Sequence, residues 1–233
     1  MQDPNKKLYY FRGDASSLGG YLDEPVDTNI PTVASVSLPP VGGFAMERSE
    51  GFTLDDIITC SLAYTRVSGR DRDGSIFIGV RAVVEDLNLL KRVTAKRVVS
   101  QVSIWIKGEK RRISLEGSCI EGLKVTETDA FKGPDMRRIG WAHGGKLTQS
   151  IESDTCLTDA ASRKANDWHP MTEGCEAPGS HSIIIPGFGR LTLGQLLVTK
   201  DYVQLVGIRA DLGCPVKGGV TISAVGGGGG HDT

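Results

Sequence analysis

The stretch "VTAKRVVSQVSIWI" constrains this chain more than any other. Val102, Ile104 and Ile106 interleave with Ser103 and Trp105, an apolar/polar alternation with a period of two. Successive side chains of a strand point to opposite faces, so the pattern makes a strand with one buried and one wetter face. Upstream, "DIITCSLAYTRV" and "IFIGVRAVV" flank "SGRDRDGS". Two β-rich runs around an Asp-Gly turn predict a hairpin. Downstream, "KGEK" turns the chain into "RRISLEGSCIEGLKV", bent or bulged at Gly117. After residue 180, "HSIIIPGFGRLTLGQLLV", "DYVQLVGIRADL" and "GGVTISAV" predict further strands. The 30 glycines and 10 prolines supply the turns between them.

Helix signals are few. "TLDDII" is one, and "VEDLNLLKRV" is another, where Leu87, Leu90 and Val93 stand at near-helical spacing and predict a turn or two. "CLTDAASRKANDW" predicts a short helix with Thr158 or Asp159 as its cap. No strands alternate with helices in the manner of a parallel sheet. The expected fold is therefore all-β, an antiparallel two-sheet β-sandwich of jelly-roll-like form, with a β-barrel as the alternative.

The expected organisation has three parts. Residues 1–50 read as an irregular lead-in packed on the core, with "KKLYYFR" and "TVASVSL" as strand candidates and Arg12-Gly13-Asp14 as a turn after the first. Residues 51–225 read as a single β-rich domain carrying a long irregular insertion at about 126–181. Residues 226–233 read as a Gly-rich tail. Five successive glycines are costly to order, so this tail is expected to be passive, or to pack on a neighbouring subunit or on the long insertion.

Net charge narrows the partners. At −1 over 233 residues the molecule as a whole has no strong field for nucleic acid or an anionic membrane. No apolar run approaches the ~18 residues that span a bilayer, and the start has no apolar leader core. Five widely spaced cysteines then read as reduced thiols of a cytoplasmic protein.

Several clusters are candidates for chemistry. Cys156, His169, Cys175 and His181 are the right ligand types for a tetrahedral metal site, but no close pair such as C-x2-C is present. His143, His169 and Asp167 are candidates for a dispersed catalytic site, which would make the chain a hydrolase working from the 140–181 segment, with His143, His169 or His181 as base and Asp154, Asp159 or Asp167 as orienter. Gly140, Gly145 and Lys146 match a phosphate-loop pattern, yet Leu147 stands where Ser or Thr would hold magnesium. Asp71-Arg72-Asp73-Gly74 is a fragment of a calcium-loop pattern without its closing Glu, and reads better as a charged hairpin turn. Between residues 91 and 112 lie eight Lys or Arg against Glu109 alone. Within that segment Lys96, Arg97, Trp105, Arg111 and Arg112 could hold phosphates and stack a base, or form a solvated sheet edge.

No nucleophile-elbow or zinc-helix motif is present. The leading expectation is a non-enzymatic binding or structural module, or a subunit of an assembly, with no cofactor. Its expected partner is protein, or a second copy of itself, rather than nucleic acid or membrane.

Overall fold

The computed structural model describes residues 9–125 and 181–231, apart from 26, 109, 186, 200 and 214. Among these, every regular element is a strand. In chain order they are β1 (Tyr9–Glu24), β2 (Thr28–Ser37), β3 (Gly43–Ser49), β4 (Phe52–Leu54), β5 (Ile58–Cys60), β6 (Leu62–Arg72), β7 (Ser75–Leu89) and β8 (Val93–Lys107). They continue as β9 (Lys110–Ser114), β10 (Cys119–Glu121), β11 (Lys124–Val125), β12 (His181–Ile185), β13 (Gly189–Val198), β14 (Tyr202–Leu212) and β15 (Lys217–His231). No helix among the described residues is long and apolar enough to cross a membrane.

The strands make two antiparallel sheets. The six-stranded sheet runs β12-β13-β14-β15-β1-β2. In the nine-stranded sheet the long strands run β3-β6-β7-β8, with β5 and β4 continuing from β7 and with β9, β10 and β11 on β8. Most neighbours are consecutive in sequence, so the chain meanders through hairpins. The β6–β7 hairpin closes at Asp73-Gly74, with φ of 52° and 73°. That geometry suits the right-handed twist of the flanking strands, and it explains an Asp-Gly pair at this place. β2 also packs on β3 and β6 across the seam between the sheets, so the sandwich is nearly closed and barrel-like on that side.

The inner faces meet in an apolar core of two clusters. Leu18, Val84, Val98, Ile208 and Ile222 belong to one, and Phe11, Val80, Ile104, Leu205 and Val225 to the other. On β8 and β15 the division falls at Ser100 and Ser223, both fully buried.

Several expectations are corrected here. Residues 9–50 are not an irregular lead-in: β1 and β2 belong to the six-stranded sheet, with β1 between β15 and β2, and β3 belongs to the nine-stranded sheet. Arg12-Gly13-Asp14 lies inside β1 and not in a turn. Two of the three helix candidates are hairpins, and the third, at 156–168, lies outside the described residues. "TLDDII" becomes the β4–β5 turn, and "VEDLNLLKRV" becomes the β7–β8 turn, where Leu90 and Lys91 take φ of 51° and 56°. Leu87 and Leu89 are buried at a spacing of two, a pattern that short apolar runs share with helices. The insertion expected at about 126–181 lies outside the described residues except for His181.

The Gly-rich end is the largest correction. Gly226, Gly227 and Gly228 pair with Asp14, Gly13 and Arg12 of β1 on one side and with Gln204, Val203 and Tyr202 of β14 on the other. A Cβ on Gly227 would stand 3.3 Å from Ile78, Val80 and Ile104 of the facing sheet. On the opposite face, a Cβ on Gly226 would overlap the Tyr202 hydroxyl and one on Gly228 the Asp201 carbonyl. The glycines let the two sheets close on one side and let Tyr202 lie over the strand on the other. This is an interior strand of the sandwich, and its packing partners are the chain's own strands.

Candidate functional site

The alternation in β7 and β8 sends Ile76, Ile78, Val80, Val102 and Ile104 inward. It leaves Phe77, Gly79, Arg81, Gln101, Ser103 and Trp105 on the outer face of the larger sheet. Strand register then assembles this face in rows. Arg70 stands opposite Phe77, Phe77 opposite Trp105, and Trp105 opposite Arg112, an unbroken row across β6, β7, β8 and β9. The Phe77 and Trp105 rings are 5.4 Å apart between centroids. The Arg70 guanidinium lies 5.1 Å from the Phe77 centroid, and that of Arg112 5.8 Å from Trp105. Trp105 is 41% exposed, which leaves part of its indole open to solvent. The adjoining row toward the hairpin end is Arg72, Ser75, Lys107 and Lys110. The two rows together hold five cations, two aromatics and one serine, and no carboxylate. Asp71 and Asp73 lie at the hairpin turn beside them, and Asp71 Oδ1 accepts from the Gly74 N–H.

On the other side of the aromatic row the side chains become small. Ser68, Gly79, Ser103 and Ser114 stand in one row. Beyond them come Arg66, Arg81 and Gln101. Between the rows of larger side chains the glycine and serines form a lower strip, a trough flanked by arginines on both sides and partly covered by Phe77 at Gly79. The Phe77 ring tip lies 3.1 Å from where a Cβ on Gly79 would stand, so the ring leans over the floor. At the β3 end Phe44 pairs with Ser68, is 57% exposed, and has the Arg66 guanidinium 5.1 Å from its centroid.

The far end of the same face is of mixed charge. Glu85, Arg97 and Glu121 share a row. Arg97 Nε lies 3.4 Å from Glu85 Oε1, an ion pair without hydrogen-bond geometry at that nitrogen. A hydrogen bond to Tyr64 holds the Arg97 guanidinium above its usual pKa, with Glu85 and Glu121 in support and partial burial opposing. The Cys119 thiol donates to Glu121 Oε1 at 3.5 Å. Burial raises its pKa first and the Glu121 carboxylate raises it further, against Arg97 and Arg81. This thiol is held protonated, the reverse of an activated nucleophile.

The five residues read from sequence as a nucleic-acid cluster do not stay together. Trp105 and Arg112 are neighbours on the basic rows. Arg97 is engaged at the mixed end. Lys96 faces a shallow open groove of ≈ 520 Å³ shared with Asp86, Asn88, Lys91 and Lys124. Arg111 turns inward, where its Nη1 donates at 3.1 Å to the carbonyl of Thr199, in the turn between β13 and β14 of the other sheet. Burial lowers its pKa, with Tyr9 and Asp201 opposing, and it acts as a clasp between sheets. The row partners Arg70 and Phe77 were missed, although the Asp-Gly hairpin that aligns them was recognised.

His143, Asp167, His169, Cys156 and Cys175 lie outside the described residues, as does the phosphate-loop pattern at 140–146. His181 opens β12 opposite Leu193. Among the described residues no group of three or more His, Cys, Asp or Glu is placed to hold a metal ion.

Fold and face together define the class: an antiparallel β-sandwich with a basic, aromatic-bearing outer sheet face. The chain belongs to a family described as a domain of unknown function (DUF8256), whose match covers residues 9–133 and so takes in the entire larger sheet. No curated protein and no solved structure matches the chain.

Proposed function

We propose that this chain is a non-enzymatic binding module whose outer sheet face receives an anionic partner. The observation that carries the reading is the row Arg70–Phe77–Trp105–Arg112, with the cationic row beside it. Arginine and lysine at the edge of a sheet have an ordinary role in discouraging aggregation. That role does not call for aromatic rings between the cations on a face, because exposed rings favour the association that such charges prevent. Aromatics and Arg are instead enriched where surfaces bind. The net charge of −1 concentrates the meaning of this face, since cations gathered here are balanced by acids elsewhere.

The test is retention on immobilised heparin, a sulfated polyanion, at low salt. Wild-type protein should be retained, and Arg70→Ala/Arg112→Ala should elute at markedly lower salt with an unchanged melting temperature. Wild-type protein that passes straight through, or elutes with the double variant, overturns the reading.

A further inference from the structure

We infer that the anionic partner is single-stranded nucleic acid, laid along the trough with bases on Phe44, Phe77 and Trp105 and phosphates on the arginines beside them. The inference rests on the reading of this face as a binding face and goes on to specify what it binds.

The dimensions fit an extended polymer. The trough row crosses β3, β6, β7, β8 and β9, and adjacent strands are ~4.8 Å apart, which gives roughly 19 Å of length. Wall to wall, Phe77 to Arg81 spans four residues at ~3.4 Å each, or about 14 Å. That width admits one backbone and not a duplex. Of the floor hydroxyls, Ser68 donates to the Gly79 carbonyl at 3.4 Å and Ser114 accepts from the Glu116 N–H at 3.2 Å, so toward bases and sugars Ser68 is an acceptor, while Ser103 and Ser114 can donate.

The pairing of each ring with a guanidinium is the specific feature. The Arg66 guanidinium lies over the Phe44 ring, that of Arg70 over Phe77 and that of Arg112 over Trp105. A base has a π-face and lies one backbone step from a phosphate. A ring that stacks the base on its other face, with the cation over its first face reaching the phosphate, satisfies both halves of one nucleotide. Duplexes hide their base faces in the helical stack, so only a single strand can use the rings. A protein partner would also use the aromatics and arginines, but interfaces between proteins are depleted in lysine, and the adjoining row carries Lys107 and Lys110 with no carboxylate. The many arginines and few base-edge readers predict little sequence preference.

The experiment is fluorescence anisotropy of labelled single-stranded oligonucleotides, one of DNA and one of RNA, and of a matched duplex, against the full chain. Four variants accompany wild type: Trp105→Ala, Trp105→Phe, Arg70→Ala/Arg112→Ala, and Arg209→Ala on the opposite sheet as a control. Single strands should bind more tightly than the duplex. Trp105→Ala should weaken binding roughly 5- to 150-fold, the usual range for loss of one stacking ring, and Trp105→Phe should restore most of it. Affinity should fall with salt, and the double arginine variant should make the log–log slope shallower by about 1.4, two phosphate contacts at ~0.7 each. Arg209→Ala should match wild type.

No binding of either single strand at low salt overturns the inference, and so does equal binding of single strand and duplex that Trp105→Ala leaves unchanged. In either case retention on heparin decides separately whether the face is a binding face for some other anion. Light scattering that shows self-association lost in Trp105→Ala would assign the face to a second copy of the chain and overturn the inference.

Discussion

The Ser223 hydroxyl enters the ladder of the opposite sheet at Ser100. It accepts from the Ser100 backbone N–H at 2.8 Å and donates to the Ala82 carbonyl at 2.9 Å. The Ser100 hydroxyl returns a hydrogen bond to the Ser223 carbonyl. Ala82 and Ser100 are paired in the β7–β8 register, so the hydroxyl bridges one rung of that ladder. All these groups are buried, and Ser223 holds φ at 56° to reach them. The two sheets are thus joined by polar contacts at the level where the two apolar clusters meet.

Ser223→Ala should therefore be costly. It leaves a buried N–H and a buried carbonyl without their partner, at roughly 1–3 kcal/mol for each such group. A loss of about 2–6 kcal/mol, read from urea unfolding, is expected. Ser223→Gly should lose about 1 kcal/mol less, because glycine takes the left-handed backbone without strain. Ser100→Ala combined with Ser223→Ala should be clearly non-additive.

The glycine strand separates two substitutions that look alike in sequence. Gly226→Ala drives a methyl into Tyr202 and should cost about 1–3 kcal/mol, the usual price of overpacking. Gly230→Ala meets nothing within 4 Å and should stay within ~0.5 kcal/mol of wild type. Removing residues after Val225 should abolish the native fold, because β1 and β14 lose paired residues between them. Thermal melts of the three variants check all of this.

Stability should fall in alkali. Burial raises the Tyr202 pKa, Asp14 raises it further, and Arg12 opposes. An unfolded tyrosine ionises near 10.0 while the folded one still holds its proton. Above that pH the unfolded state binds fewer protons, so stability present at neutral pH is lost as pH rises through the folded pKa. Urea midpoints between about pH 8 and 11 should show the decline. Tyr202→Phe should make it shallower without removing it, because burial raises the Tyr9 pKa as well.

Cys119 should be a slow thiol. With its pKa raised by burial and by Glu121, little thiolate is present at neutral pH. Iodoacetamide labelling, followed at the Cys119 peptide by mass spectrometry, should be slower than that of a free cysteine. Glu121→Gln removes the carboxylate and should speed it. Rapid labelling in the wild type would contradict the electrostatics of this end of the face.

Much of this architecture is written in local pattern. The period of two in 76–82 and 100–106 reports which residues face inward, because a strand has only two faces. The Asp73-Gly74 turn sets the pairing of Arg72 with Ser75, and from it Arg70 with Phe77, because a two-residue hairpin loop determines register. The basic character of the segment around Trp105 was legible as composition. Its division into a surface pair, an inward clasp at Arg111 and an ion pair at Arg97 was not, since adjacent residues of a strand serve different layers.

The sequence by itself determined that this chain makes antiparallel sheets, and where several of its hairpins turn. Local sterics and turn chemistry act between near neighbours and need no knowledge of the rest of the chain. Only the tertiary structure decided the fate of the glycine run and of the buried serines. Glycine carries no side chain to mark a face, and a serine within a strand reads as solvent-facing. Gly226–Gly228 become an interior strand because Tyr202, Ile78 and Ile104 leave no room for a Cβ. Ser100 and Ser223 become a bond between sheets because residues 123 positions apart are brought face to face where water cannot reach.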